Sequence, residues 1–396
     1  LTGVLESEDT EVMIEAWRKL RLCLDWDKSS EIVRIEGCGG QPPHPEGDLF
    51  IANSGTSIRF LTAALAATRG EYRLDGVPRM RERPIADLID GLRGLGAEVS
   101  SENADNPKCP PVRIHGRGLD GGIAHVAGNV SSQFLSGMMM AAPYARAPIE
   151  IQVTGELVSK PYVEMTAAVM KSFGVSVESI KSQEATQPHY KINAPTSYRG
   201  CDYAIEPDAS AASYFWGAAA ITGGRVRVQG LSRDALQGDV GFVDVLVRMG
   251  CEATYGDDYI EVTGKPLKGI DVDMNAISDT VQTLAPVAMF AEGPTRIRGV
   301  AHNRHKETDR IGDLAKELRK VGAKVTEHED GLTIEPARYH AAELETYHDH
   351  RMAMSFALLG LRIPGIEILD PRCTNKTFPR YFEVMGSLIG QEPNYR

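Results

Sequence analysis

Two stretches near the end of the chain place cations and carboxylates where local preference argues against them. HNRHKETDR, from His302 to Arg310, sets Arg304, Lys306, Glu307, Asp309 and Arg310 at the entrance to a helix reading RIGDLAKELRK. A capping box accounts for Thr308 or Asp309. It does not account for three cations at the positive end of a helix dipole. A conflict of this kind between composition and local preference marks a functional site. YHDHRMAM, from Tyr347 to Met354, repeats it with Arg351 at the start of an apolar helix, and CTNKTFP puts Lys376 just before the last helix. Asp279, in SDT, stands at a helix cap and by itself reads as a good cap. Grouped cations of this sort bind an anion, and carboxylates among them can move protons.

The first half carries weaker signals. PRMRERPI, Pro78 to Ile85, spaces Arg79, Arg81 and Arg83 two apart, so in an extended chain all three point one way. Taken alone it also reads as a solvated, Glu-balanced loop. NSGTSIR, Asn53 to Arg59, puts a Gly turn at a helix start with Arg59 one turn in. Free backbone amides there favour an anion, though an ordinary N-cap has the same residues. NVSSQF, Asn129 to Phe134, offers two hydroxyls and an amide at another helix start. These suit a phosphate, and Ser is also a routine cap. The pairs His302/His305 and His348/His350 lack a Cys or carboxylate at fixed spacing, so no metal is assigned. No Walker A or complete dinucleotide fingerprint is present, and no cofactor is expected.

These residues need a frame. A chain of 396 residues exceeds the usual single core, so two domains are expected. The net charge of −11 disfavours a general nucleic-acid binder and makes local Arg clusters informative. No apolar run reaches the length of a membrane span. The six cysteines are scattered without CxxC, which fits reduced thiols in a cytoplasmic protein. No signal or transit peptide is recognised. The chain opens at Leu1 directly into the helix-start pattern SEDTEVM, as a fragment or a processed start would.

An internal repeat supplies the frame. A helix ends in a Gly turn followed by strand, turn and strand: LRGLGAEV around Gly96, MKSFGVSV around Gly174, LVRMGCEA around Gly250 and LRKVGAKV around Gly322. WRKLRLCL, around Arg21, is a degenerate copy. The spacing of about 75 residues is well beyond solenoid periods. The pattern predicts helix, left-handed cap, then β-hairpin. Between these lie GTSIRFLTAALAA, SSQFLSGMMMAA, DASAASYFWGAAA, SDTVQTLAPVAMF and DHRMAMSFALLG, apolar on nearly all sides and so expected in the middle of a domain. Five copies and a partial sixth predict two α/β domains of three units each, 1–205 and 206–396.

Together the motifs resemble the enolpyruvyl transferase family, and within it the branch that acts on shikimate 3-phosphate. NSGTSIR, GVPRMRERPI, GNVSSQF, SKPY, EPDASAASYF, DMNAISD, KETDR, YHDHRMAM and CTNKTFP occur in the family's order, nearly end to end. The resemblance implies an inside-out α/β barrel of two similar domains. Each has three βαβαββ repeats around buried helices, with the active site in the interdomain cleft. The N-terminal lobe would mainly bind shikimate 3-phosphate; the C-terminal lobe would bind phosphoenolpyruvate and hold the catalytic residues. Carried over, the phosphoenolpyruvate site is Asn53, Gly55, Thr56, Arg79, Gln133, Arg310, Arg351 and Lys376. The shikimate 3-phosphate site is Ser131, Ser132, Gln133, Ser159, Tyr162, Asp279 and Lys306. Glu307 would serve proton transfer at the methylene carbon, and Asp279 would take the hydroxyl proton. For Glu307 to act as an acid, burial must offset the neighbouring cations. A Gly at position 55 implies room for glyphosate, hence sensitivity to it. No metal, cofactor, nucleic acid or membrane is implied, and the enzyme would act as a monomer in the cytoplasm.

The sequence departs from the family in two places. Relatives of this kind begin with roughly 45 more residues, carrying a Lys-Ser pair and an Arg that contact the two substrates. The chain as given is therefore expected to be weakly active or inactive, and active when that stretch is restored. His302 stands where some members have Asn near the shikimate phosphate. A UDP-N-acetylglucosamine enolpyruvyl transferase would need a catalytic Cys in a flexible loop, and Arg73 to Pro84 contains none. A non-catalytic binding module is the remaining alternative, against which the retained Glu307, Asp279, Arg310 and Arg351 stand.

Overall fold

The computed structural model describes residues 1–180, 188–392 and 394. The chain divides into two compact units, Leu1–Ile205 and Glu206–Arg396. In the first, two copies of a βαβαββ repeat are complete. One runs β3 (Glu46–Phe50), α2 (Gly55–Ala66), β4 (Arg69–Asp75), α3 (Ala86–Gly94), β5 (Glu98–Ser101), β6 (Val112–Arg117). The other runs β7 (Gly122–Ala127), α4 (Ser132–Ala141), β8 (Ile149–Thr154), α5 (Lys160–Ser172), β9 (Val177–Ile180), β10 (His189–Ile192). Ahead of them α1 (Glu8–Lys19) and the hairpin β1 (Leu24–Asp27)–β2 (Ile32–Ile35) supply the αββ portion of a third.

The second unit repeats the plan. Its complete copy is β14 (Asp271–Asp273), α8 (Val281–Met289), β15 (Thr295–Arg298), α9 (Gly312–Lys320), β16 (Lys324–His328), β17 (Gly331–Glu335). Before it come α6 (Ala209–Thr222), β11 (Arg225–Gln229), α7 (Phe242–Arg248), β12 (Glu252–Tyr255) and β13 (Tyr259–Thr263). After it come β18 (Ala342–Leu344), α10 (His350–Gly360), β19 (Ile366–Ile368) and α11 (Tyr381–Ile389). The four-stranded sheets share one order, β3-β4-β6-β5, β7-β8-β10-β9 and β14-β15-β17-β16. Within each, the first pair is parallel and the others antiparallel. A parallel pair needs a crossover, and a helix supplies it; the later hairpin needs only a turn.

The Ala- and Met-rich helices α2, α4, α8 and α10 are the crossovers, and they and α6 are buried around nearly their whole circumference. Small residues set their spacing. A Cβ added to Gly217 of α6 would lie 3.0 Å from Thr283 Cγ2 of α8 and 3.2 Å from Leu358 Cδ1 of α10. Gly therefore lets three helices meet at that level. The hydroxyls of Ser213 and Thr283 close the same contact at 2.8 Å. The second helix of each repeat is amphipathic instead. In α9, Leu314, Ala315 and Leu318 are buried while Arg319 and Lys320 face water.

The Gly turns have the geometry the repeat predicts. Gly322 has φ +91°, its amide donates to Arg319 O at 3.0 Å, and the Ala323 amide donates to Leu318 O at 3.1 Å. The turns at Gly96, Gly174 and Gly250 have the same pair of bonds. So does the degenerate copy: Arg21 N reaches Arg18 O at 2.9 Å, Leu22 N reaches Trp17 O at 3.1 Å, and Arg21 sits at φ +61°. Here an Arg holds a left-handed conformation that costs a Cβ-bearing residue about 1–2 kcal/mol. Arg21→Gly should therefore stabilise the protein by about 1 kcal/mol in denaturant unfolding. Gly322→Ala should destabilise it, since its Cβ would also lie 2.7 Å from Arg338 O. A lower unfolding midpoint for Arg21→Gly would contradict strain at this turn.

Candidate active site

In the second unit, Asp279 lies next to the last in the turn Asn275–Thr280 that leads into α8. The capping explanation does not hold: the N-cap is Thr280, and it makes no side-chain cap bond. The Asp279 carboxylate turns to cations instead. Its Oδ1 accepts from Lys306 Nζ at 3.0 Å and Arg310 Nη1 at 3.3 Å, and its Oδ2 accepts from Arg351 Nη2 at 3.1 Å.

Arg310 lies just ahead of α9, with its side chain 2% exposed. Its guanidinium forks onto Asp349, Nε to Oδ2 at 2.6 Å and Nη2 to Oδ1 at 3.0 Å. Nη2 also lies 2.8 Å from Glu307 Oε2, while Glu307 Oε1 lies 3.4 Å from Lys376 Nζ. Asp349 is the N-cap of α10 and accepts the Arg351 amide at 2.9 Å. Ahead of α9, Asp309 Oδ1 accepts the amides of Ile311 and Gly312 at 3.1 and 3.0 Å, although the N-cap of α9 is Ile311. Lys306 and Arg310 of the KETDR stretch turn to this network.

Seven charged groups thus meet: Lys306, Arg310, Arg351 and Lys376 against Asp279, Glu307 and Asp349. Four cations and three carboxylates leave one positive charge in excess. Burial would push Asp279 up, but Arg351, Lys306 and Arg310 outweigh it and hold the carboxyl well below its usual range. Burial works against the charge on Arg310 too, and Asp349 and Glu307 more than restore it. Burial, helped by Lys306, holds His302 down to about 3, and burial with Lys376 and Arg351 keeps His350 well below its ordinary value. His348 lies outside the cluster, exposed on Asp370 at 2.7 Å. Asp349 is the member the sequence reading leaves out. Its signal was an Asp two residues before an Arg at a helix start.

In the first unit, the starts of α2, α4 and α5 lie together. Gln133 of α4 donates Nε2 to Thr56 Oγ1 at 2.9 Å and accepts Arg59 Nη1 at 2.5 Å, spanning the first turns of α2 and α4. Ser131 caps α4, accepting the Gln133 amide at 3.3 Å, and Ser132 is buried beside it. The hydroxyls of Ser136 and Thr166, 2.8 Å apart, join α4 to α5, and the Val158 amide donates to Gly128 O at 3.0 Å. Ser159, left-handed at φ +52°, opens α5, and Tyr162 lies in its first turn. Ser131, Ser132, Gln133, Ser159 and Tyr162 therefore occupy adjoining helix starts.

The expectation for the Arg trio is corrected. Residues Pro78–Glu82 form a 3-10 turn rather than an extended strand, so the three side chains diverge. Arg79 pairs with Glu82 at 2.7 Å on the same turn, and Arg81 forks onto Asp75 at 2.9 and 2.6 Å. Arg83 is the one that reaches the NSGT turn, donating to Asn53 O at 2.8 Å. A methyl on Gly55 would sit 2.5 Å from Arg83 Nη2 and 2.9 Å from its Cζ. The close approach permitted by Gly55 is therefore to this guanidinium. Arg59 and Arg83 join Asn53, Gly55, Thr56 and Gln133, although the sequence reading names neither as a site residue. Both are almost wholly buried.

A buried neutral His gives a pH signature. In the unfolded chain His302 takes a proton near its ordinary value of about 6.5. In the folded protein it does so only at about 3. The unfolded state therefore binds the extra proton, and stability is lost as pH is lowered through that window, by up to about 1.4 kcal/mol per unit. His302→Asn should flatten the melting temperature between pH 6 and 4 by about one proton's slope. An unchanged slope would show that His302 is not held neutral.

Comparison with known proteins gives the family of the chain. The sequence model of the family described as EPSP synthase (3-phosphoshikimate 1-carboxyvinyltransferase) matches residues 1–385. A 3-phosphoshikimate 1-carboxyvinyltransferase from Nostoc punctiforme is 48% identical over 392 residues, 99% of this chain and 90% of the relative. One from Trichormus variabilis is 46% identical over the same length and shares of the two chains. An EPSP synthase structure from Acinetobacter baumannii superposes with a TM-score of 0.77 at 28% identity, over 98% of this chain and 88% of that one. The enolpyruvyl transferase NikO from Streptomyces tendae shares the fold, with a TM-score of 0.75 at 18% identity over 98% of this chain and 88% of its own. On the match of the family model and of relatives along almost its whole length, this chain belongs to the EPSP synthase (3-phosphoshikimate 1-carboxyvinyltransferase) family.

Proposed function

We propose that this protein transfers the enolpyruvyl group of phosphoenolpyruvate to the 5-hydroxyl of shikimate 3-phosphate and releases phosphate, a step toward chorismate and the aromatic amino acids. The observation that carries the reading is the cluster in which two carboxylates, Asp279 and Glu307, lie among four cations. Phosphoenolpyruvate is a small, highly charged anion, and Arg forks match both its carboxylate and its phosphate. Arg310, Arg351 and Lys376 bind it, joined by Asn53, Gly55, Thr56 and Gln133 and, in place of Arg79, which is tied to Glu82, by Arg59 and Arg83. Ser131, Ser132, Gln133, Ser159, Tyr162, Asp279 and Lys306 bind shikimate 3-phosphate. The unit Leu1–Ile205 mainly holds the sugar phosphate, and the unit Glu206–Arg396 holds phosphoenolpyruvate and moves the protons.

The reaction needs an acid and a base. Glu307 gives a proton to the methylene carbon while the hydroxyl oxygen bonds to the neighbouring carbon, and Asp279 takes the hydroxyl proton. The tetrahedral adduct then returns a proton from the new methyl group and loses phosphate, restoring the double bond. Without ligand, the cations depress Asp279 too far for it to be a good base. Anionic substrates compete for the same cations, so their arrival raises the proton affinity of both carboxylates. The pair becomes an effective acid and base only when the anions are in place. A cytoplasmic monomer with no cofactor fits this chemistry, and Gly55 fits sensitivity to glyphosate competing with phosphoenolpyruvate.

Phosphate release with both substrates tests the reading, on this chain and on one extended at its N-terminus to the length of its relatives. Turnover by the extended chain is expected, inhibited by glyphosate. Glu307→Ala should then lower kcat by about 100-fold or more while changing phosphoenolpyruvate affinity far less. Binding without turnover in both forms would favour a non-catalytic module. Turnover with UDP-N-acetylglucosamine in place of shikimate 3-phosphate would reject the substrate.

A further inference from the structure

The loop before α10 is held in an unfavourable shape. Tyr347 and His348 both have φ +54°. Two successive left-handed residues with side chains persist only where their surroundings over-determine them. Both ends of this loop are gripped by the α9 segment. At one end Arg310 forks onto Asp349. At the other, Glu317, two turns along and wholly buried, accepts the Tyr347 phenol at 2.6 Å on Oε1 and the Glu345 amide at 2.9 Å on Oε2. Lys320 Nζ lies 2.6 Å from the same Oε2, and Lys316 Nζ stands 5.3 Å from the Tyr347 ring centre. Glu345 Oε1 takes the amides of Thr346 and Tyr347 at 3.2 and 3.3 Å, and the Asp349 amide returns to Thr346 O at 2.9 Å.

We propose that Glu317 and Tyr347 are positioning residues for the phosphoenolpyruvate cations: their bond clamps the left-handed loop so that Asp349 holds Arg310 and the first turn of α10 presents Arg351. This rests on the functional reading of the Arg310–Arg351 cluster given above. Neither residue belongs to that cluster. Glu317 lies two turns along α9 from Arg310, and Tyr347 lies four residues before Arg351. Burial and then Glu317 keep the Tyr347 phenol protonated as a donor. Releasing the clamp lets the loop relax toward ordinary φ, carrying Asp349 out of register with Arg310 and turning Arg351 from Asp279.

Tyr347→Phe removes the phenol and keeps the ring. By calorimetry on this chain, the Kd for phosphoenolpyruvate should rise about tenfold, the scale of one hydrogen bond to a charged group. The Kd for shikimate 3-phosphate should change by less than about twofold, since most of that ligand's contacts lie elsewhere. Adding His348→Gly should recover most of the loss, because Gly takes the left-handed shape without a clamp. No weakening, equal weakening of both ligands, or no recovery would overturn the proposal. If neither the unaltered chain nor its N-terminally extended form binds either ligand, the functional reading fails instead. Amide exchange at residues 346–351 then decides the clamp alone: faster exchange in Tyr347→Phe supports it, and unchanged exchange contradicts it.

Discussion

The second unit is organised around one buried guanidinium. Arg310 is removed from water, and a charge in that position is tolerated only when paired and fully hydrogen-bonded. Its partners come from three segments: Asp279 ahead of α8, Glu307 in its own approach to α9, and Asp349 at the start of α10. Satisfying Arg310 therefore fixes the starts of three helices relative to one another. It also explains the oddity seen in the sequence. The cations do not oppose the α9 dipole as isolated charges; they belong to a network whose carboxylates outbid the dipole.

The first unit meets a similar demand with mostly neutral groups. Gln133, Thr56 and Asn53 hold Arg59 and Arg83, and hydroxyls occupy the starts of α4 and α5. Amides and hydroxyls at helix starts bind a phosphate without a counter-charge to displace. On the proposed reading, the ion network of the second unit exchanges its internal carboxylates for ligand. On the same reading, the first arrangement holds a ligand steadily and the second carries charge that shifts during the reaction.

The sequence showed the architecture well where local chemistry was strong. Gly at four turns and the apolar helices between them were enough to count repeats, and even Arg21 obeys the turn that its neighbours predict. Side-chain direction was less legible. Arg79, Arg81 and Arg83 diverge because Pro78 starts a tight turn, and alternation presumes an extended backbone. Asp349 gave no strong local signal because its partner, Arg310, is distant along the chain. Asp279 looked like a cap and instead carries three cations. The left-handed pair Tyr347–His348 gave little signal: His is over-represented at positive φ, but a bulky Tyr is not.

The central claim is that Arg310 and its carboxylates stand or fall together, and a double-mutant cycle in denaturant measures it most directly. Arg310→Met alone should cost about 3–5 kcal/mol, because three carboxylates lose their shared partner. Adding Asp349→Asn should cost little more or restore part of the loss, a coupling of about 1 kcal/mol or greater. Losses that simply add, or an Arg310→Met variant within about 1 kcal/mol of the parent, would contradict the account.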